Sequence, residues 1–113
     1  MCLSLYQTID ATIRHEKLYA VPNLMREDIM HRFSIGRHRL NALLTKFADG
    51  KSFPQYINEI RIREAHLLLT TQYSLSISDV AQKVGLSPSN LRELWKQRYG
   101  MTPTDFRRIS KHK

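Results

Sequence analysis

Apolar residues recur along this chain at helical spacing, and short polar or glycine-containing stretches interrupt them. The clearest case is 77–96, ISDVAQKVGLSPSNLRELWK. Val80, Ala81 and Val84 share one face of a first short helix. Gly85 follows at the turn, where a residue able to take positive φ is needed. Leu86 anchors that turn, Ser87 suits the cap of a second helix, and Pro88 suits its first turn. Leu91, Leu94 and Trp95 give the second helix an inner stripe. The small Ala81 lets the two helices cross closely at a steep angle, so the stretch reads as a helix-turn-helix. The sharper reading is a unit that reads DNA; the plainer one is a structural helical hairpin.

Taken in order, the chain predicts seven helices and no strands: an all-α fold of two helix-turn-helix subdomains, each resembling a homeodomain unit, joined by a long linker helix. A supporting helix over 4–17 carries Tyr6, Ile9 and Ile13 at helical spacing. In the connector 18–23, Pro22 disfavours a continuing helix, and Leu18, Tyr19 and Val21 are expected in the core. Over 26–45 the motif recurs. Ile29, Met30 and Phe33 form an inner stripe, Ser34-Ile35-Gly36 a turn, and Leu40, Leu43, Leu44 and Phe47 line the following helix. Met30 aligns with Ala81, and Leu40, Leu43 and Leu44 with Leu91, Leu94 and Trp95, at an offset of 51; GKSFPQY then mirrors GMTPTDF at an offset of 50. Two copies of one supersecondary unit in a short chain is the most informative feature of the sequence.

The linker helix over 53–70 has Ser52 as its cap and a broad apolar surface from Phe53, Tyr56, Ile57, Ile60, Ala65, Leu68 and Leu69. It spans about 25 Å, long enough to separate the two motifs rigidly. Arg61, Arg63 and Glu64 are read as its solvated face. Ser76 and Asp79 form a capping box for the next helix. The helix from Pro88 to Tyr99 ends at Gly100, and Thr102-Pro103-Thr104-Asp105 caps a last one carrying Phe106 and Ile109. The domain limits expected are 1–113 for the whole, 4–52 and 76–109 for the two subdomains, with a frayed basic tail at 110–113.

Composition sharpens this reading without overturning it. At 113 residues the chain is long enough for one compact unit. Lys and Arg number 18 against 10 acids, a net +8 that favours a polyanionic partner, nucleic acid or an anionic surface. No apolar run approaches the ~18 residues of a membrane span, and MCLSL does not read as a signal peptide. A cytoplasmic protein is expected, and the single cysteine, Cys2, has no internal disulfide partner. His15, His31, His38, His66 and His112 show no ligand spacing, so no metal is expected. No phosphate loop and no nucleophile–base pair is legible, so no enzyme and no cofactor is expected.

In a helix-turn-helix the outward residues in the N-terminal half of the second helix face the major groove. In the first motif these are Arg37, His38, Arg39, Asn41 and Ala42; in the second, Ser89, Asn90 and Glu93. Asn can contact adenine in bidentate fashion, Ala can meet a thymine methyl, and Glu can accept from cytosine N4. Glu93 is read equally as a specificity residue or as a source of weak binding beside phosphates. Phosphate contacts are expected from Lys46, Lys51, Arg92, Lys96, Arg107 and Arg108, and from the helix starts at Ser52, Ser87 and Thr102.

The two motifs, the linker GKSFPQYINEIRIREAHLLL and the closing RYGMTPTDFRR resemble the DNA-binding domain of AraC/XylS-type transcription regulators. The resemblance runs from Leu5 to Arg108. It implies a monomeric seven-helix module that binds double-stranded promoter DNA sequence-specifically, both recognition helices entering successive major grooves on one face, with His38, Asn41 and Ala42 toward the bases and RNA polymerase as a further partner. The chain departs from the family pattern at Met25 and Gly36, where a Ser or Thr cap is usual. Its second turn is one residue short, and Ala42 and Glu93 stand where Arg is frequent. The usual effector-sensing or dimerising domain is absent from the sequence, which suggests the C-terminal part of a longer regulator. The alternative is a truncated regulator that works as a protein-interaction module on a full-length relative or polymerase. A DNA alkyl-repair methyltransferase, which can carry the same module, would need metal-bound reactive cysteines, and only Cys2 is present.

Overall fold

The computed structural model describes residues 3–111, so Cys2 and His112 lie outside the described residues. The chain runs through α1 (Leu3–His15), a single 3-10 turn (Leu18–Ala20), α2 (Arg26–Phe33), α3 (Arg37–Phe47), α4 (Phe53–Thr71), α5 (Ile77–Lys83), α6 (Pro88–Tyr99) and α7 (Pro103–Lys111). These residues fall into two compact units, Met1–Glu59 and Ile60–Lys113. The helix read as a linker is therefore divided between them: its start closes the first unit as α7 closes the second, and its remainder opens the second as α1 opens the first.

In the first unit α1 and α2 both pack on α3. The core is Ile9 and Ile13 of α1, Tyr19, Ile29 of α2, Ile35, Leu40, Leu43 and Leu44 of α3, and Phe53, Tyr56 and Ile57 of α4. Tyr6 lies with its ring 5.4 Å from Phe47 and 6.2 Å from Tyr56. The Tyr56 hydroxyl donates to Asp10 Oδ1 at 2.5 Å, while Arg14 Nε donates to Asp10 Oδ2 at 2.9 Å. Burial, and then the Asp10 acceptor, push the Tyr56 hydroxyl far above the usual phenol range. On the surface Arg32 clasps Glu16 with two hydrogen bonds, at 3.0 and 2.5 Å.

In the second unit α6 packs on α5 and α7. Its core is Ile60, Ile62, Ala65 and Leu69 of α4 with Val80, Ala81, Val84, Leu91 and Trp95. Trp95 is fully buried, with Phe106 5.1 Å away edge-on and Tyr99 at 4.4 Å. His66 stacks on the Trp95 ring at 5.9 Å. Aromatic pairs of this kind add to plain burial. The Trp95 indole N–H is left without an acceptor.

The helix starts follow their residues. Ser76 Oγ accepts from Asp79 N at 3.0 Å while Asp79 Oδ2 accepts from Ser76 N at 3.2 Å, the expected capping box. Ser52 and Gln55 close the same reciprocal pair at the start of α4, and Thr102 Oγ1 accepts from Asp105 N at 3.1 Å ahead of α7. Gly100, at φ 71, ends α6.

Three expectations need correction. The first helix stops at His15 and not at residue 17, because Lys17 takes a left-handed φ of 55 that no helix can continue through. Val21 is 45% exposed and not core: the 3-10 turn before it buries Tyr19 and turns Val21 outward. Arg61 is buried, not solvated, and burial lowers the pKa of its guanidinium. The α4 stripe is wider than the sequence suggested, with Ile60, Arg61 and Ile62 all inside.

Candidate nucleic-acid interface

Each unit builds one turn between two helices, and the two turns share a backbone. In the second, the Leu86 N–H donates to Ala81 O at 2.9 Å and the Gly85 N–H to Gln82 O at 3.2 Å, with Gly85 at φ 83. In the first, the Ile35 N–H donates to Met30 O at 3.0 Å and the Ser34 N–H to His31 O at 3.3 Å, with Ser34 at φ 53. Every partner is its counterpart shifted by 51. The left-handed residue of the first turn is thus Ser34, not Gly36, whose φ of −81 is ordinary. Alignment to Gly85 was the signal that could have found it.

The turns deliver α3 and α6 with their apolar sides inward. Leu40, Leu43 and Leu44 are buried in one unit; Leu91 and Trp95 are buried and Leu94 half-buried in the other. The opposite faces carry the residues named for base contact. Arg37, His38, Arg39 and Asn41 are exposed and Ala42 is half-buried on α3; Ser89, Asn90 and Glu93 are exposed on α6. Within each unit, therefore, one helix face gathers its polar set and leaves it in water. The faces differ in charge. The α3 face opens on Arg37, His38 and Arg39 with no acid, whereas on α6 Glu93 stands between Arg92 and Lys96, its Oε1 accepting from Gln97 Nε2 at 3.5 Å.

The residues named for phosphate contact are less uniform. Arg92 and Lys96 are exposed beside the α6 face. Lys46 lies 5.5 Å from the Phe47 ring, and Lys51 is 3.7 Å from Asp49. Arg108 pairs with Asp105 at 3.3 Å. The side-chain oxygens of Ser52, Ser87 and Thr102 each accept a backbone N–H of their own helix. Arg107 is turned inward: its Nη1 donates to Leu75 O and its Nη2 to Gln72 O at 3.1 Å, and it lies 5.9 Å from the Tyr73 ring. It ties the segment after α4 to α7, and in sequence its Arg-Arg neighbourhood gives no sign of this.

Sequence reading also passed over Asp28. Its Oδ2 accepts from the Met25 N–H at 2.8 Å, half of a capping box where Met25 has no side-chain oxygen to offer. The spacing Met25 to Asp28 repeats Ser76 to Asp79, and that repeat was the available clue. Among the described residues no helix is long and apolar enough to cross a membrane.

A helix-turn-helix domain family model matches residues 29–109 of the chain. No curated protein matches it. Among solved structures it is similar to the C-terminal domain of the two-component response regulator yesN from Fusobacterium nucleatum (23% identity over 91% of this chain and 97% of that one, TM-score 0.77). It is similar to the C-terminal domain of AraT, a response regulator from Geobacillus stearothermophilus (22% identity, 94% and 85% covered, TM-score 0.79). A third is the DNA-binding domain of AdpA, a global transcriptional factor, in complex with a target DNA (21% identity, 95% and 93% covered, TM-score 0.80). At these identities the likeness is one of fold.

Proposed function

The chain belongs to the helix-turn-helix domain family, of the AraC/XylS type, and so to the DNA-binding domains of transcription regulators; from that premise we propose that it binds double-stranded promoter DNA through both α3 and α6. The observation that carries this reading is the outward polar face on the second helix of each motif, set by two turns with the same hydrogen bonds. Bound DNA then takes α3 and α6 in successive major grooves, about 34 Å apart, straight or bent to fit. Once one helix has docked, the other binds at high effective concentration, so two weak readings combine into one usable affinity.

Base reading falls to His38, Asn41 and Ala42 on α3 with Arg37 and Arg39 beside them, and to Ser89, Asn90 and Glu93 on α6. Exposed Arg92, Lys96 and Lys46 hold phosphates, together with Lys51, Arg108 and the helix starts at Ser52, Ser87 and Thr102. Arg107, bound to two carbonyls, supports its unit instead. The chain acts as a monomer in the cytoplasm, and contact with RNA polymerase would follow from its place at a promoter.

Selection of bound duplexes from a random pool tests this. An enriched site is expected. Asn41→Ala should relax preference at one base pair by about 1–3 kcal/mol, whereas Lys96→Ala should weaken every sequence alike and reduce the salt slope by about 1. No enriched site, or equal losses on cognate and random DNA for both variants, would favour a module that acts on a protein partner.

A further inference from the structure

The two units are built to different standards. Among the described residues, the non-glycine positions with positive φ are Lys17 at 55, Ser34 at 53 and Asp49 at 55, all within Met1–Glu59. In Ile60–Lys113 the positive-φ positions are glycines, Gly85 and Gly100. Side-chain caps divide in the same way. Neither Met25 ahead of α2 nor Gly36 ahead of α3 supplies one, whereas Ser76, Ser87 and Thr102 cap α5, α6 and α7. The α4 start, capped by Ser52, is the first unit's exception. Left-handed side chains and missing caps both weaken the folded state locally, and weakness concentrated in one cooperative piece appears as sub-global opening.

We propose that the first unit opens as a piece while the second stays folded, and that duplex DNA draws the first unit closed. The second part rests on the function proposed above; the first does not. DNA can still meet α6 while the first unit is open, so it suppresses opening by the factor by which it binds the closed state more tightly. The α6 reader thus meets DNA ready-made, and the α3 reader is completed by it.

Amide hydrogen exchange on the whole chain decides this. Without DNA, amides of α2 and α3 should exchange at least about tenfold faster than those of α5 and α6. A selected duplex at a hundred times Kd should slow first-unit exchange by at least about tenfold, with about a hundredfold as the ceiling. Ser34→Gly with Gly36→Ser, both of which suit their positions since a side chain at Gly36 meets nothing within 4 Å, should slow it without DNA and leave α5 and α6 unchanged. Equal exchange rates in the two units would overturn the proposal, as would DNA protection confined to the second unit. Failure of any selected duplex to bind, with the difference in rates intact, would instead reject the DNA-reading function and with it the closing role given to DNA.

Discussion

The turn before α3 and the turn before α6 have the same hydrogen bonds and almost none of the same residues. Ser34 stands for Gly85, Ile35 for Leu86, Gly36 for Ser87 and Arg37 for Pro88. What the two keep in common is the apolar stripe behind them and one buried residue, Ile29 or Val80, under the first helix. The difference teaches that the stripe and the turn backbone specify this supersecondary unit, while caps and glycines are separate increments that can be lost one at a time. The second unit carries them and the first lacks most.

The largest expected effect is in the core of the better-built unit. Trp95→Ala should cost about 3–5 kcal/mol in urea denaturation, since the ring is fully buried among Tyr99, Phe106 and His66. A cost below about 1 kcal/mol would mean that this cluster is not the core of its unit. Next come the two turn positions, with opposite signs. Gly85→Ala should destabilise by about 1–2 kcal/mol, and Ser34→Gly should stabilise by up to about 1 kcal/mol, because a side chain in the left-handed region is strained and glycine is not. Equal signs would break the equivalence of the two turns.

Caps should matter less and again asymmetrically. Ser87→Ala removes the acceptor for the Asn90 N–H and should cost about 1 kcal/mol. Gly36→Ser should gain only a few tenths, since glycine is itself a tolerable cap. Thermal unfolding of the pair checks both. The smallest effect is the surface clasp of Arg32 on Glu16. Hydrogen bonding to Arg32 holds the Glu16 carboxyl below its ordinary value of 4.5, so the clasp stabilises above that pH and is lost as pH falls through the depressed value. The urea midpoints of wild type and Glu16→Gln should differ slightly at pH 7 and coincide near pH 2, and high salt should shrink the difference.

Most of this fold was legible because two copies of one pattern check each other. Repetition at 51 placed both stripes and both second helices, and Pro88 and Gly100 marked the ends of α6 to the residue. The slip from 51 to 50 also has a structural cause: Asp49 and Gly50 are both left-handed after α3, where Gly100 alone serves after α6. What escaped was whatever depends on a side chain's partner far along the chain. Arg61 reads as a solvated surface charge and Arg107 as a phosphate contact, yet one is buried and the other binds carbonyls 32 and 35 positions earlier. Val21 escaped because a 3-10 turn has no apolar period to read. For the interface, outwardness on α3 and α6 follows from the stripe alone.

Footprinting the full chain on its selected duplex tests the central claim, that both second helices read DNA, most directly. Two protected major-groove stretches about 10 base pairs apart on one face are expected, with Asn41→Ala loosening only the stretch read by α3. A single protected stretch, or two that respond equally to Asn41→Ala, would contradict it.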